Sequence, residues 1–117
     1  MSSTPKLEAV FFATATGNEP VRAWLKDMDR ESRRAIGEDI AYVQFKWPIG
    51  KPRVDHLRGP IWEVRSNLKA TIARTLFAVD GHKMILLHGF IKKTQQTPAT
   101  EIALAEKRFK EYCHAKT

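Results

Sequence analysis

Apolar positions recur at helical spacing along some stretches of this chain and crowd into short runs or alternate along others. The changeovers mark its elements. Glu8-Ala-Val-Phe-Phe-Ala-Thr14 is a short apolar, partly aromatic run and reads as a first strand. Thr16-Gly-Asn-Glu-Pro20 is a turn into a helix. Asn18 or Glu19 stands near its N-cap, and Pro20 suits the first helical position, where an N–H has no partner to lose. Val21, Trp24, Leu25 and Met28 then follow at helical spacing. A second helix is predicted from Arg30 to Trp47, because Ile36, Ile40, Val43 and Trp47 make one apolar stripe. Arg30, Arg33, Arg34 and Glu38 lie off that stripe, and Pro48-Ile-Gly-Lys-Pro52 ends the helix.

The second half is strand-rich. Ile61-Trp-Glu-Val-Arg65 alternates, with Trp62 and Val64 on one face and Glu63 and Arg65 on the other. Thr71 to Val79 is a longer β-branched run, Asp80-Gly81 a tight turn, and Lys83 to Ile91 a nearly continuous apolar strand. After a basic, polar loop from Lys92 to Thr97, Thr97-Pro98 reads as N-cap and first helical position. Ile102, Ala105, Phe109 and Tyr112 are the apolar stripe of a last helix. The predicted class is α+β, in the order β-α-α-β-β-β-α. A helical hairpin packs on one face of a small, antiparallel, twisted sheet, and a C-terminal helix completes the fold. Residues 1–6 read as a flexible tail and 7–117 as one domain. Trp24, Trp47, Trp62 and Phe77 fit core positions.

A length of 117 residues fits one domain with one modest core. Charge changes the picture more: 20 Lys and Arg against 13 Asp and Glu leave +7. Such an excess in a small domain favours a polyanionic partner, with nucleic acid first and an acidic protein second. Cys113 is the only cysteine, so no intrachain disulfide or Cys-x-x-Cys site exists, and it is expected to be reduced and half-buried in the last helix. No apolar leader or membrane-length run is visible, which predicts a cytoplasmic protein with no membrane partner. No metal-ligand spacing, Gly-rich phosphate loop or nucleophile motif is found, so no cofactor and no metal are expected.

Three segments carry a family resemblance. They are His56-Leu-Arg-Gly-Pro-Ile-Trp-Glu-Val-Arg65, Ala73-Arg-Thr-Leu-Phe77, and Leu86-Leu-His-Gly-Phe-Ile-Lys-Lys-Thr-Gln-Gln-Thr-Pro98 with Glu101, Ile102 and Ala105 behind it. In combination and order they resemble the RelE/HigB superfamily of toxin–antitoxin toxins, and most of all its phage-derived, HigB-like branch. The resemblance implies ribosome-dependent endonucleolytic cleavage of mRNA. It also implies neutralisation by a helix-turn-helix antitoxin of the HigA kind.

Metal-free RNA cleavage needs a base for the 2′-OH, an acid for the leaving 5′-oxygen, and cations for the charge that develops on the phosphate. Arg suits bidentate phosphate contact, and Lys can also move protons where neighbouring cations lower its pKa. Arg65, Arg74 and Lys93 match basic catalytic positions of the superfamily, and each is expected to be replaceable by Ala with little loss of fold. Lys92, Lys69 and Arg58 are expected to contact RNA. The best-known RelE pattern has a further basic residue where this chain has Glu63, and a late tyrosine where it has Gln95, Gln96 and Thr97. His88 and His56 are therefore kept as acid–base candidates. His88, in an apolar strand, reads more simply as a hydrogen-bonded core residue. The rival functions are a non-enzymatic basic nucleic-acid-binding or phage protein, and a degenerate toxin that binds its antitoxin only.

Overall fold

The sequence folds as β1 (Glu8–Phe11), α1 (Pro20–Lys26), α2 (Arg30–Lys46), β2 (Val54–Arg58), β3 (Ile61–Asn67), β4 (Ile72–Asp80), β5 (Lys83–Lys92) and α3 (Ala99–Ala115) in a computed structural model. The structure describes residues 4–92 and 95–116. The strands form one five-stranded sheet in the order β1-β5-β4-β3-β2.

Two expectations are corrected here. The order is β-α-α-β-β-β-β-α, with β2 as an additional edge strand. It lies between Pro52 and Gly59-Pro60, buries only Val54 fully, and slips register between His56 and Arg58, so its alternation is hard to see. The sheet is also mixed, because β1 pairs with β5 in parallel while the other pairings are antiparallel.

The two faces bury different cores. On one, α1 and α2 cover Val54, Val64, Phe77, Met84 and Leu86 through Val21, Ile36, Ile40 and Val43. Trp47 closes this side edge-on to Trp62 and Phe77, at 5.0 and 5.7 Å between centroids. On the other face, α3 sets Ala105, Phe109 and Tyr112 against Phe12, Ile61, Leu76, Ile85 and Leu87. At the N-terminus, the Lys6 amide donates to the Gln44 carbonyl, and Leu7 is buried.

A β-bulge sets which side chains reach the α3 face. Leu76 pairs with His88 but Phe77 pairs with Leu86, so Leu87 is an extra residue in β5. Unbulged alternation would put residues 88, 90 and 92 on the α1–α2 face with Met84 and Leu86. The extra residue turns them to α3 instead. It leaves Gly89 facing α1, where a Cβ would stand 2.2 Å from the Trp24 ring.

α3 starts one residue later than predicted, with Pro98 rather than Thr97 at its N-cap and no side-chain cap bond. The Thr97 hydroxyl is used elsewhere, as described below. Cys113 is exposed rather than half-buried. No helix among the described residues is long and apolar enough to cross a membrane.

Two glycine substitutions test this packing. Gly89→Ala drives a methyl into Trp24 and should cost about 1–3 kcal/mol. Gly37→Ala, mid-helix in α2 with nothing within 4 Å of the new methyl, should gain up to about 1 kcal/mol. Urea melts read both, and equal effects would contradict the packing of Trp24 on Gly89.

Candidate nucleic-acid interface and cationic site

The register lays three rows across the α3 face of the sheet. Glu63, Leu76 and His88 form one; Arg65, Arg74 and Phe90 the next; Asn67, Ile72 and Lys92 the third. Arg65 and Arg74 are direct partners, and Lys92 is diagonal to Arg74. Like charges placed so on a sheet repel.

Glu63 resolves that repulsion. Its carboxylate is 1% exposed and accepts from Arg74 Nη1 at 2.6 Å and from Arg65 Nε at 3.2 Å. The Thr97 hydroxyl donates to its other oxygen. One carboxylate thus joins β3, β4 and the lead-in to α3. Arg74 Nη2 donates to the Gln95 carbonyl at 3.1 Å, a second tie to the same segment. Arg65 Nη2 reaches Asp55 on β2 at 3.5 Å.

Arg74 is 3% and Lys92 6% exposed, whereas the Arg65 side chain keeps 33%. The expectation that Arg74 is an exposed charge, replaceable with little loss of fold, is therefore corrected at its premise: Arg74 is buried in a central strand and neutralises a buried carboxylate. Among the described residues, Lys92 Nζ and Arg74 Nε are buried without a hydrogen-bond partner. Burial holds the Lys92 amine below the ordinary lysine range; Arg74 and Arg65 push the same way, and Glu63 opposes them. Arg65 and Arg74 border a cleft of about 470 Å³ whose other walls include Glu38, Asp39 and Arg53.

Of the residues singled out from sequence, Arg65, Arg74 and Lys92 come together, while Lys93 lies outside the described residues. His88 shares their face, where Nε2 meets Glu101 at 3.0 Å and Nδ1 faces Arg108 at 3.3 Å. Its ring stacks on Phe90. His56 is on the opposite face, 4.7 Å from the Trp62 ring, with Nε2 on the Gly59 carbonyl. Arg58 pairs with Ile61, at the other end of β3 from Arg65, and is bound to Glu106 of α3 at 2.6 Å. Lys69 sits exposed in the β3–β4 turn, beside Asp29 and Glu31. Neither Arg58 nor Lys69 belongs to the cluster.

Sequence reasoning missed the parts played by Glu63, Asp55 and Thr97. The signal for Glu63 was present: it alternates onto the Arg65 face, where a carboxylate beside two arginines is a counter-ion.

A family model, that of phage-derived Gp49-like proteins, matches residues 23–110. The match takes in α2, all of β2 to β5 and most of α3, and so every strand that contributes to the cluster. No curated protein matches the chain.

Two substitutions separate the counter-ion from the unpaired amine. Glu63→Ala strands Arg74 and should cost about 3–5 kcal/mol, with Glu63→Gln costing less. Lys92→Met should raise stability by at least about 1 kcal/mol, since it replaces a buried charge with an apolar chain of similar shape. Because the folded-state pKa of Lys92 is lowered, its penalty is full below that pKa and fades as pH rises towards the ordinary lysine value. The gain from Lys92→Met should fade likewise. Chemical denaturation across pH reads this, and a loss of stability at neutral pH would contradict it.

Proposed function

We infer the function from this premise: the chain belongs to the family of phage-derived Gp49-like proteins, a toxin–antitoxin-associated family related to the RelE-type toxins. On that premise the protein is read as the toxin of such a pair. Its activity is ribosome-dependent endonucleolytic cleavage of mRNA, in the manner of the HigB-like branch and without a metal. The observation that carries this reading is the convergence of Arg65, Arg74 and Lys92 on one face of the sheet, where the two arginines border a cleft.

The chemistry follows from that convergence. The ribose 2′-oxygen attacks phosphorus, negative charge grows on the non-bridging oxygens, and the P–O5′ bond breaks. Arg65 is the exposed cation, and a phosphate can replace Asp55 and Glu63 as acceptor for its planar fork. Arg74 comes within reach once the Gln95 and Thr97 contacts yield. A site closed in this way depends on its substrate being held for it. The ribosome provides that positioning, which is worth several kcal/mol in an oriented encounter. The partners are accordingly the ribosome with mRNA and a small antitoxin encoded beside the gene, and the compartment is the cytoplasm.

The rival reading, a chain that binds its antitoxin without cutting, draws on the near-complete burial of Arg74 and Lys92. Single-turnover cleavage on programmed ribosomes separates the two. Wild-type protein is expected to cut ribosome-bound mRNA and to leave naked RNA nearly intact. Arg65→Ala should lower the rate by about a hundredfold or more, with a stability change well below that of Glu63→Ala. Equal rates on naked and ribosome-bound RNA would refute ribosome dependence. No cleavage under either condition would leave the non-cutting reading.

A further inference from the structure

We propose that Lys92 is the proton-transfer residue of this site, taking the proton of the attacking 2′-hydroxyl as a neutral amine. The inference rests on the ribonuclease reading above and goes beyond it by naming the base. Three observations lead to Lys92 rather than to a histidine.

The first is position. The bulge at Leu87 turns Lys92 to the α3 face, diagonal to Arg74 and one row from Arg65. An amine there lies beside the two guanidinium groups that would hold the phosphate. The second is partnership. Arg65 has Glu63 and Asp55, and Arg74 has Glu63 and the Gln95 carbonyl. Lys92 Nζ is buried with no hydrogen-bond partner among the described residues. A buried ammonium without acceptors is costly, and shedding its proton relieves the cost. The charged groups acting on it are Arg74 from β4 and Arg65 and Glu63 from β3, and burial with the two arginines outweighs the carboxylate. On α3, Glu101 is taken up by His88.

The third is what the histidines lack. His88 has Glu101 on one ring nitrogen and Arg108 against the other. His56 is on the far face of the sheet, with Nε2 on the Gly59 carbonyl.

The 2′-hydroxyl proton passes to Lys92 Nζ, O2′ bonds to phosphorus, and the P–O5′ bond breaks. The leaving 5′-oxygen takes a proton from water, and Lys92 returns its own to solvent. The amine is buried in this structure, so it meets RNA only when the site opens.

The test is a pH–rate profile for single-turnover cleavage on programmed ribosomes. Wild type is compared with Lys92→Arg and His88→Gln, with the titration of the Lys92 amine read by NMR in the free wild-type protein. Wild-type rate should rise with pH until the amine is neutral. Lys92→Arg keeps the charge but cannot give up its proton, so it should lose that rise and about a hundredfold or more in rate. His88→Gln should keep the wild-type profile. The amine should titrate below the exposed lysines of the same protein. Lys92→Arg cleaving within threefold of wild type with an unchanged profile, or an amine that titrates like an exposed lysine, overturns this proposal alone. Absence of cleavage by wild type overturns the ribonuclease reading with it.

Discussion

The buried carboxylate of Glu63 is the constraint on which the rest of this site depends. Two guanidinium groups directly opposed on adjacent strands repel by several kcal/mol at the effective dielectric of a protein surface. A single anion between them turns the repulsion into a bonded pair. Because Thr97 donates to the same carboxylate, the entry to α3 is set by the same interaction. The site thus exists as a closed unit, with its counter-ion seated between the two arginines. On the proposed function, stability and catalysis pull in opposite directions: the carboxylate that permits Arg74 to be buried is the one an RNA phosphate would have to displace.

α3 is held by a small apolar core, with Phe109 and Tyr112 packed around Ala105, and by a set of polar contacts. Only Ala105 of this helix is fully buried. Its polar contacts are Arg58 to Glu106, Arg108 to the Leu87 carbonyl, His88 to Glu101, and Tyr112 and Lys116 to Asp80. Lys116 and then Tyr112 hold the Asp80 carboxyl below the usual carboxylate range. The exposed pairs among these, Arg58–Glu106 and Lys116–Asp80, contribute little each. Helix α2, in contrast, buries the aliphatic stripe Ile36, Ile40 and Val43 against the other face. The sheet is therefore anchored firmly on one side and covered more loosely on the side that carries the cations.

Much of the fold was legible because it rests on periodicity. The stripe Ile36, Ile40, Val43 marks α2, and the Asp80-Gly81 turn between two apolar runs marks the β4–β5 hairpin, with Gly81 at a φ of 61°. What was not legible rests on pairing. Val54–Arg58 becomes a strand only because β3 offers it an edge. The parallel pairing of β1 depends on where the chain returns after β4. Of the site, the identity of Arg65 and Arg74 could be read from strand alternation and family resemblance. The extra residue at Leu87 could not, and it is what turns Lys92 and His88 to the α3 face. Gly89, a glycine within an apolar strand, was the local hint of that irregularity. Thr97 followed by proline has the sequence of a helix cap, yet its hydroxyl is bound to Glu63. Local pattern cannot announce a partner 34 residues away.

We propose that this chain cuts RNA by attack of the ribose 2′-oxygen within a cluster of protein cations. The ends of the cut RNA test it most directly. Fragments from wild-type protein acting on programmed ribosomes should carry a 2′,3′-cyclic phosphate, or the 3′-phosphate formed on its opening, upstream of the cut and a 5′-hydroxyl downstream. A 2′-deoxy substitution at the cleaved position should abolish the cut. Fragments with a 3′-hydroxyl and a 5′-phosphate, or undiminished cleavage at the 2′-deoxy position, would contradict the account.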